Sequence, residues 1–233
     1  MEKAGGRASL HLTRAEMKGA CIGYGKFRRL ASKKGTVYHR AMSAVLKYNL
    51  QPPKWTVPDY LKAEATSEVR HEYIAGDLYA MAGASENHNF ISGNIFSAIR
   101  NHLRGKTCKV FIHDMKVKVY AQVMLFYYPD VMVVCEPDDE DKNYKTKPHL
   151  IVEVISESTR GTDEREKLLT FIQLPSLEEY VLVEQDKMKV TVHRRAVEWR
   201  AEVLEGAEAV LKLTSIGFEM PLSAVYEDVF PVK

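Results

Sequence analysis

The chain reads as a mixed α/β protein in which a sheet is covered on both sides, and three stretches carry that expectation. Pro148-His149-Leu150-Ile151-Val152-Glu153-Val154-Ile155-Ser156 opens on a proline and is almost continuously apolar, the pattern of a strand buried on both faces. Pro129-Asp130-Val131-Met132-Val133-Val134 repeats it, with an acid at its head. Between Ser85 and Leu103, apolar residues fall at Ile91, Ile95, Ile99 and Leu103, the spacing of a helix with one buried stripe.

The other elements follow in order. Residues 1–41 carry ten Lys/Arg against two Glu, net +8, with no periodic apolar face, and read as a flexible basic extension. Residues 42–233 form the domain, with net charge −6. Thr56-Val57-Pro58-Asp59-Tyr60 opens a short helix with proline in its first turn. Two short strands, 70–74 and 78–81, flank Ala75-Gly76-Asp77 as a hairpin. Ser85 caps the long helix and Gly105 ends it. Residues 109–112 and 115–120 read as extended, and residues 136–142 as a charged loop. A helix is expected from Thr162 to Gln173, then a strand pair at 179–184 and 189–195, then short strands and turns from Leu211 onward.

Composition narrows the class. The apolar and charged fractions, 45% and 27%, are those of a globular protein. No apolar run approaches the roughly 20 residues of a membrane helix, so no membrane partner is expected. The three cysteines, Cys21, Cys108 and Cys135, have no metal-finger spacing. Cys108 and Cys135 lie among apolar residues and read as reduced core thiols of a cytoplasmic protein. Because the domain alone is acidic, any nucleic-acid contact has to come from a local patch or from the basic extension.

Phosphate loops, Gly-x-Gly-x-x-Gly, His-Glu-x-x-His and Gly-x-Ser-x-Gly are all absent. What remains is Asp130 and Glu153, two acids on two core strands. A glutamate inside an apolar strand requires a partner, either an arginine, another cation or a metal. Converging carboxylates offer hard oxygens to Mg²⁺, which takes one or two of them together with waters and a substrate phosphate. The competing account is a pair of strand-end acids bonded to arginines. Two carboxylates this close also repel, so each is expected to raise the pKa of the other.

Pro129-Asp130 followed by Glu153-Val154-Ile155 resembles the PD-(D/E)xK nuclease pattern. A set of segments from about 42 to 230 resembles the Uma-two family of restriction-endonuclease-like proteins more closely. They are His71-Glu72-Tyr73-Ile74-x-Gly76, Met81-Ala82-Gly83-Ala84-Ser85, His88-Asn89, Asp114-Met115-Lys116-Val117, Tyr128-Pro129-Asp130-Val131 and Val152-Glu153-Val154-Ile155-Ser156. Ser158-Thr159, Asp163-x-x-x-Lys167, Glu179 to Val183 and Pro221-Leu222-x-x-x-Tyr226 continue the set.

The resemblance implies a restriction-endonuclease-like mixed sheet flanked by helices, with an added N-terminal hairpin and C-terminal strands. It also implies Mg²⁺-dependent hydrolysis of nucleic acid, DNA first, with Mn²⁺ as a substitute ion and a homodimer as the assembly. Asp130 and Glu153 become ligands and Glu72 a third metal carboxylate. The superfamily places a lysine two residues after the glutamate, where this chain has Ile155; the resemblance offers Lys167, on the next helix, instead. Helical side chains lean toward the N-terminus, which points Lys167 back at the Glu153 strand. Otherwise Lys167 is a surface partner of Asp163, which itself fits a capping box with Glu166. Asp114, His88 and Asp163 are supporting candidates: Asp114 as a site acid or a turn residue, His88 as a phosphate contact or a cap. The rival from another class is a catalytically inactive binding or assembly protein on the same fold, and a third reading is hydrolysis of another phosphate ester.

Overall fold

The computed structural model describes residues 54–156 and 160–230, so the basic extension and Ser158-Thr159 lie outside the described residues. Helix α1 (Val57–Glu64) starts where expected, with Thr56 Oγ1 accepting from Asp59 N and Pro58 in the first turn. Strands β1 (His71–Ile74) and β2 (Asp77–Ala80) form the hairpin. Its two-residue turn has φ 54° at Ala75 and 99° at Gly76, the left-handed pair that matches the twist of the strands. Helix α2 (Glu86–His102) is capped by Ser85 Oγ, which accepts from His88 N, and buries Ile91, Ile95 and Ile99 as the spacing requires.

Strands β3 (Lys109–Ile112), β4 (Lys116–Ala121), β5 (Val123–Tyr127), β6 (Val131–Val134) and β7 (Tyr144–Lys145) lead to β8 (Pro148–Ile155). The next helix, already formed at Arg160 and Gly161, passes through a π-helical turn (Thr162–Lys167) and continues as α3 (Leu168–Phe171). Strands β9 (Glu179–Glu184) and β10 (Lys189–Arg194) pair antiparallel, and β11 (Ala201–Glu205) extends that edge. A small hairpin, β12 (Val210–Leu213) with β13 (Phe218–Pro221), precedes the short α4 (Leu222–Val225).

The strands divide into two main sheets, a division the sequence reading did not make. One has the order β2-β1-β5-β4-β7, the other β11-β10-β9-β8-β6-β3. In the second, β8 runs parallel to β9 and antiparallel to β6, which makes it a mixed sheet with β8 near its centre. Alternation decides the layers. Val152, Val154, Val131, Val133, Val181 and Val183 face α2 and the C-terminal hairpin. Ile151, Ile155, Met132, Tyr180 and Leu182 face the other way, against Val117, Val119, Leu125 and Tyr127 of the first sheet and Phe171 of α3. On the outer face of the first sheet, α1 packs Tyr60 against Tyr73 and Phe126. Glu153 shares the parity of Ile151 and Ile155, so it is turned toward the space between the sheets.

One expectation fails. Cys108 and Cys135 are joined by a disulfide, not reduced. They extend the β3–β6 ladder one step past the Lys109–Val134 pair, which places the two thiols directly opposite each other. Apolar surroundings in the sequence do not reveal that cross-strand meeting.

Candidate active site

Asp130 ends the Pro129-Asp130 turn just before β6. The β6–β8 register pairs Val131 with Val152, so one further step sets Asp130 across from Glu153. The Asp130 side chain turns into β8, and its Oδ2 accepts from Val154 N at 2.7 Å. His88, in the first turn of α2, brings Nε2 to 3.1 Å from the same oxygen. On the other side His113 Nδ1 stands 3.6 Å from Oδ1, an ion-pair contact longer than a hydrogen bond. Burial opposes ionisation of Asp130, but His113, His88 and the Val154 amide outweigh it and hold the carboxyl well below its ordinary range. The expectation that the two acids raise each other therefore fails for Asp130, because the histidines were not counted.

It holds for Glu153. Burial above all, and then the charges of Asp130, Asp163 and Glu72, push its carboxyl well above the usual range against the pull of Lys167. Lys167 is buried, not on the surface. Its Nζ donates to Glu153 Oε1 at 3.1 Å and pairs with Asp163 Oδ1 at 3.1 Å and Glu72 Oε1 at 3.3 Å. Burial disfavours its charge, but these three acids more than compensate and keep the ammonium ionised. The Lys167 charge also lies 5.6 Å over the Tyr127 ring, a cation–π distance.

Local structure explains how a lysine twelve positions beyond Ile155 reaches Glu153. Ile155 is packed in the core between the sheets, so no charged group occupies its place. The π-helical turn instead lays Asp163 and Lys167 side by side facing β8, and Tyr180 of the adjacent β9 donates its hydroxyl to Asp163 O at 3.0 Å. Asp163 is not a cap: it lies inside the π-helical turn, after Arg160 and Gly161, which are already helical. Glu72 arrives from β1, on the same face as Ile74.

Four carboxylates thus surround one ammonium and two imidazoles. Asp114 is not among them. It lies 74% exposed and pairs with Arg70 at 3.3 Å, beyond the turn that carries His113. His113 is the residue missed by sequence reasoning. It has φ 53°, its backbone amide donates to Asp130 O at 3.0 Å, and its Nε2 is 3.3 Å from the buried Ser92 Oγ. The signal in the sequence is the two-residue break, His113-Asp114, between two extended runs, in which the acid is the more conspicuous residue.

Among the described residues, no three His, Cys, Asp or Glu side chains are arranged to hold an ion by themselves. The donor set nevertheless suits a hard cation bound partly through water and substrate. Asp130 and Glu153 supply carboxylate oxygens on adjacent strands, and a divalent ion relieves the burial and the acid–acid repulsion that push the Glu153 carboxyl up.

With the geometry described, comparison with known proteins identifies the lineage. A family model described as "Putative restriction endonuclease", Uma2, matches residues 57–223. The chain belongs to the Uma2 family. Two uncharacterized proteins of Synechocystis sp. are similar to it, at 32% identity over 176 residues and 30% over 164. These alignments cover 75% and 68% of this chain and 92% of each relative. A crystal structure described as a putative nuclease from Anabaena variabilis has a TM-score of 0.63 at 18% identity, over 76% of this chain and 99% of that one. The likeness establishes the restriction-endonuclease-like fold for this Uma2 chain. Every acid and basic residue of the candidate site lies inside the Uma2 match. No described helix is long and apolar enough to cross a membrane.

Proposed function

We propose that this Uma2 protein hydrolyses phosphodiester bonds of nucleic acid, DNA first, with Mg²⁺ held by Asp130 and Glu153. The observation that carries the reading is the buried ammonium of Lys167, set among Glu153, Asp163 and Glu72 beside the β6–β8 pairing that sets Asp130 across from Glu153. A single buried cation among three carboxylates is a costly arrangement for stability alone, and pKa values displaced in opposite directions on adjacent acids are typical of reactive sites.

The division of labour follows from the geometry. Asp130, kept ionised by its donors, is the permanent ligand. Glu153 completes the pair from the adjacent strand, the ion favouring its ionised form. Glu72, paired with Lys167 at 3.3 Å, is the third oxygen donor. Lys167 stabilises negative charge that develops on the phosphate and orients the attacking water. When bound, the ion polarises the phosphate and lowers the pKa of a coordinated water. The net charge of −6 on residues 42–233 places duplex contacts in a local patch or on the basic extension.

The test is a calorimetric Mn²⁺ and Mg²⁺ titration of wild type against Glu153→Ala, paired with cleavage of single- and double-stranded DNA and RNA. The expected outcome is saturable heat in wild type only and metal-dependent cleavage. Lys167→Ala is expected to cut cleavage by roughly 10²–10³ while retaining metal binding. Absence of heat in wild type would leave a nuclease fold used for binding or assembly.

A further inference from the structure

We propose that His88 and His113 are positioning residues that hold Asp130 in the one orientation from which it can ligate a divalent cation; the inference rests on the metal reading above. Asp130 is reached from two directions. His88 Nε2 stands 3.1 Å from Oδ2, an oxygen also fixed by Val154 N at 2.7 Å. His113 Nδ1 stands 3.6 Å from Oδ1. The better-filled oxygen is Oδ2, which leaves Oδ1 the freer lone pairs, in a plane set by the other three contacts.

Both histidines are themselves held, and by the same helix. His88 is capped into the first turn of α2 through its amide and Ser85 Oγ at 3.1 Å. Ser92, one turn on and fully buried, donates its hydroxyl proton to His88 O at 2.8 Å. Ser92 Oγ also lies 3.3 Å from His113 Nε2, a polar contact that fixes that ring. The His113 backbone is in the left-handed region at φ 53°, an unfavourable state for a residue with a Cβ, and its amide donates to Asp130 O at 3.0 Å. Two rings lying 6.1 Å apart and nearly parallel thus grip one carboxylate, and a strained backbone retains the second ring.

A second observation sets His88 apart from an ordinary core histidine. Its Nδ1 is buried with no hydrogen-bond partner, so the ring is committed to Asp130 through Nε2 alone. A histidine kept for stability would normally have both nitrogens satisfied. Partners that orient a metal-binding carboxylate typically contribute 10–100-fold in metal affinity.

The test uses replacements that keep or remove one donor atom. Glutamine places an amide nitrogen near the position of Nε2, and asparagine places one near Nδ1. Mn²⁺ affinity of the full chain is measured by calorimetry for wild type, His88→Ala, His88→Gln, His113→Ala and His113→Asn, with circular dichroism to confirm folding. His88→Ala is expected to weaken Mn²⁺ binding about 10–100-fold, and His88→Gln to recover most of it. His113→Ala is expected to show a smaller loss, recovered by Asn. Alanine variants that bind Mn²⁺ like wild type would overturn the proposal, as would a glutamine variant as weak as alanine. Should His88→Ala fail to fold, the His88→Gln and His113 pairs still decide it. Wild type that binds no Mn²⁺ would instead refute the metal site itself, a separate and visible outcome.

Discussion

Replacing Lys167 by methionine keeps the volume of the stem and its contact with Tyr127 but removes the charge. The ammonium has carboxylate oxygens at 3.1, 3.1 and 3.3 Å. At an effective dielectric near 20, each contact is worth about 5 kcal/mol of Coulomb attraction. Repulsion among the acids and the desolvation of four buried charges cancel most of that sum. What remains is the cost of stranding one side of a buried ion pair, about 3–5 kcal/mol. Relief comes from protons, and Glu153 takes the first, because burial already pushes its carboxyl up. Without the ammonium, the Glu153 carboxyl is pushed further above its unfolded value of about 4.3. The variant is therefore nearly as stable as wild type at low pH and loses stability as pH rises through the folded value. The assay is urea unfolding of both proteins, without metal, at pH 5 and pH 8. The expected gap is about 3–5 kcal/mol at pH 8 and distinctly smaller at pH 5. Coincident midpoints at pH 8, or one gap at both pH values, would refute the reasoning.

Asp130→Asn is expected to destabilise the metal-free protein by about 2–3 kcal/mol at pH 7, since charge-assisted bonds from His88 and Val154 are weakened. The depressed Asp130 pKa makes the wild-type contribution fade as pH falls below about 4, so the two unfolding curves should converge in acid; an unchanged midpoint at pH 7 would exclude the donor network. Replacing Cys108 and Cys135 by alanine opens a cross-link spanning 27 residues, for which chain entropy gives about 3.5 kcal/mol. Chemical unfolding of the double variant, and of wild type with and without reductant, measures it, and alkylation with mass spectrometry shows whether the thiols are free. Asp114→Asn removes only an exposed pair with Arg70 and should alter neither the unfolding midpoint nor Mn²⁺ affinity.

The one-dimensional patterns that located the helices and core strands were strong because burial imposes them: period two along β8, period three to four along α2. Partition of strands between sheets left no such trace. Strand β5 (Val123–Tyr127) was invisible as a separate element because Ala121-Gln122 does not look like a turn; Gln122 adopts φ 66° without glycine. Asp130 and Glu153 stood out because acids are conspicuous in apolar runs. Lys167 and Glu72 stood out only through the family resemblance. His113 and Ser92 did not, because His113 reaches Asp130 across 17 positions of sequence and Ser92 reaches His113 across 21, and no local pattern encodes such a meeting. The capping-box reading of Asp163 failed for a related reason: a short polar motif names a helix start, but here the helix had already begun.

The π-helical turn at Thr162–Lys167 has a consequence for how this site tolerates change. A π-helical turn holds one more residue than its α-helical equivalent. Removing one residue between Thr162 and Glu166 lets the segment revert to α geometry with Lys167 near its present phase, whereas reversion with every residue kept turns Lys167 by roughly 100° around the helix axis relative to the preceding chain. The lysine would then point away from Glu153 with every chemically active side chain still present. The charge at the centre of the site is therefore encoded in the phase of the chain as much as in residue identity. Substitution scanning is blind to that encoding, and single-residue deletions and insertions are the perturbations that read it.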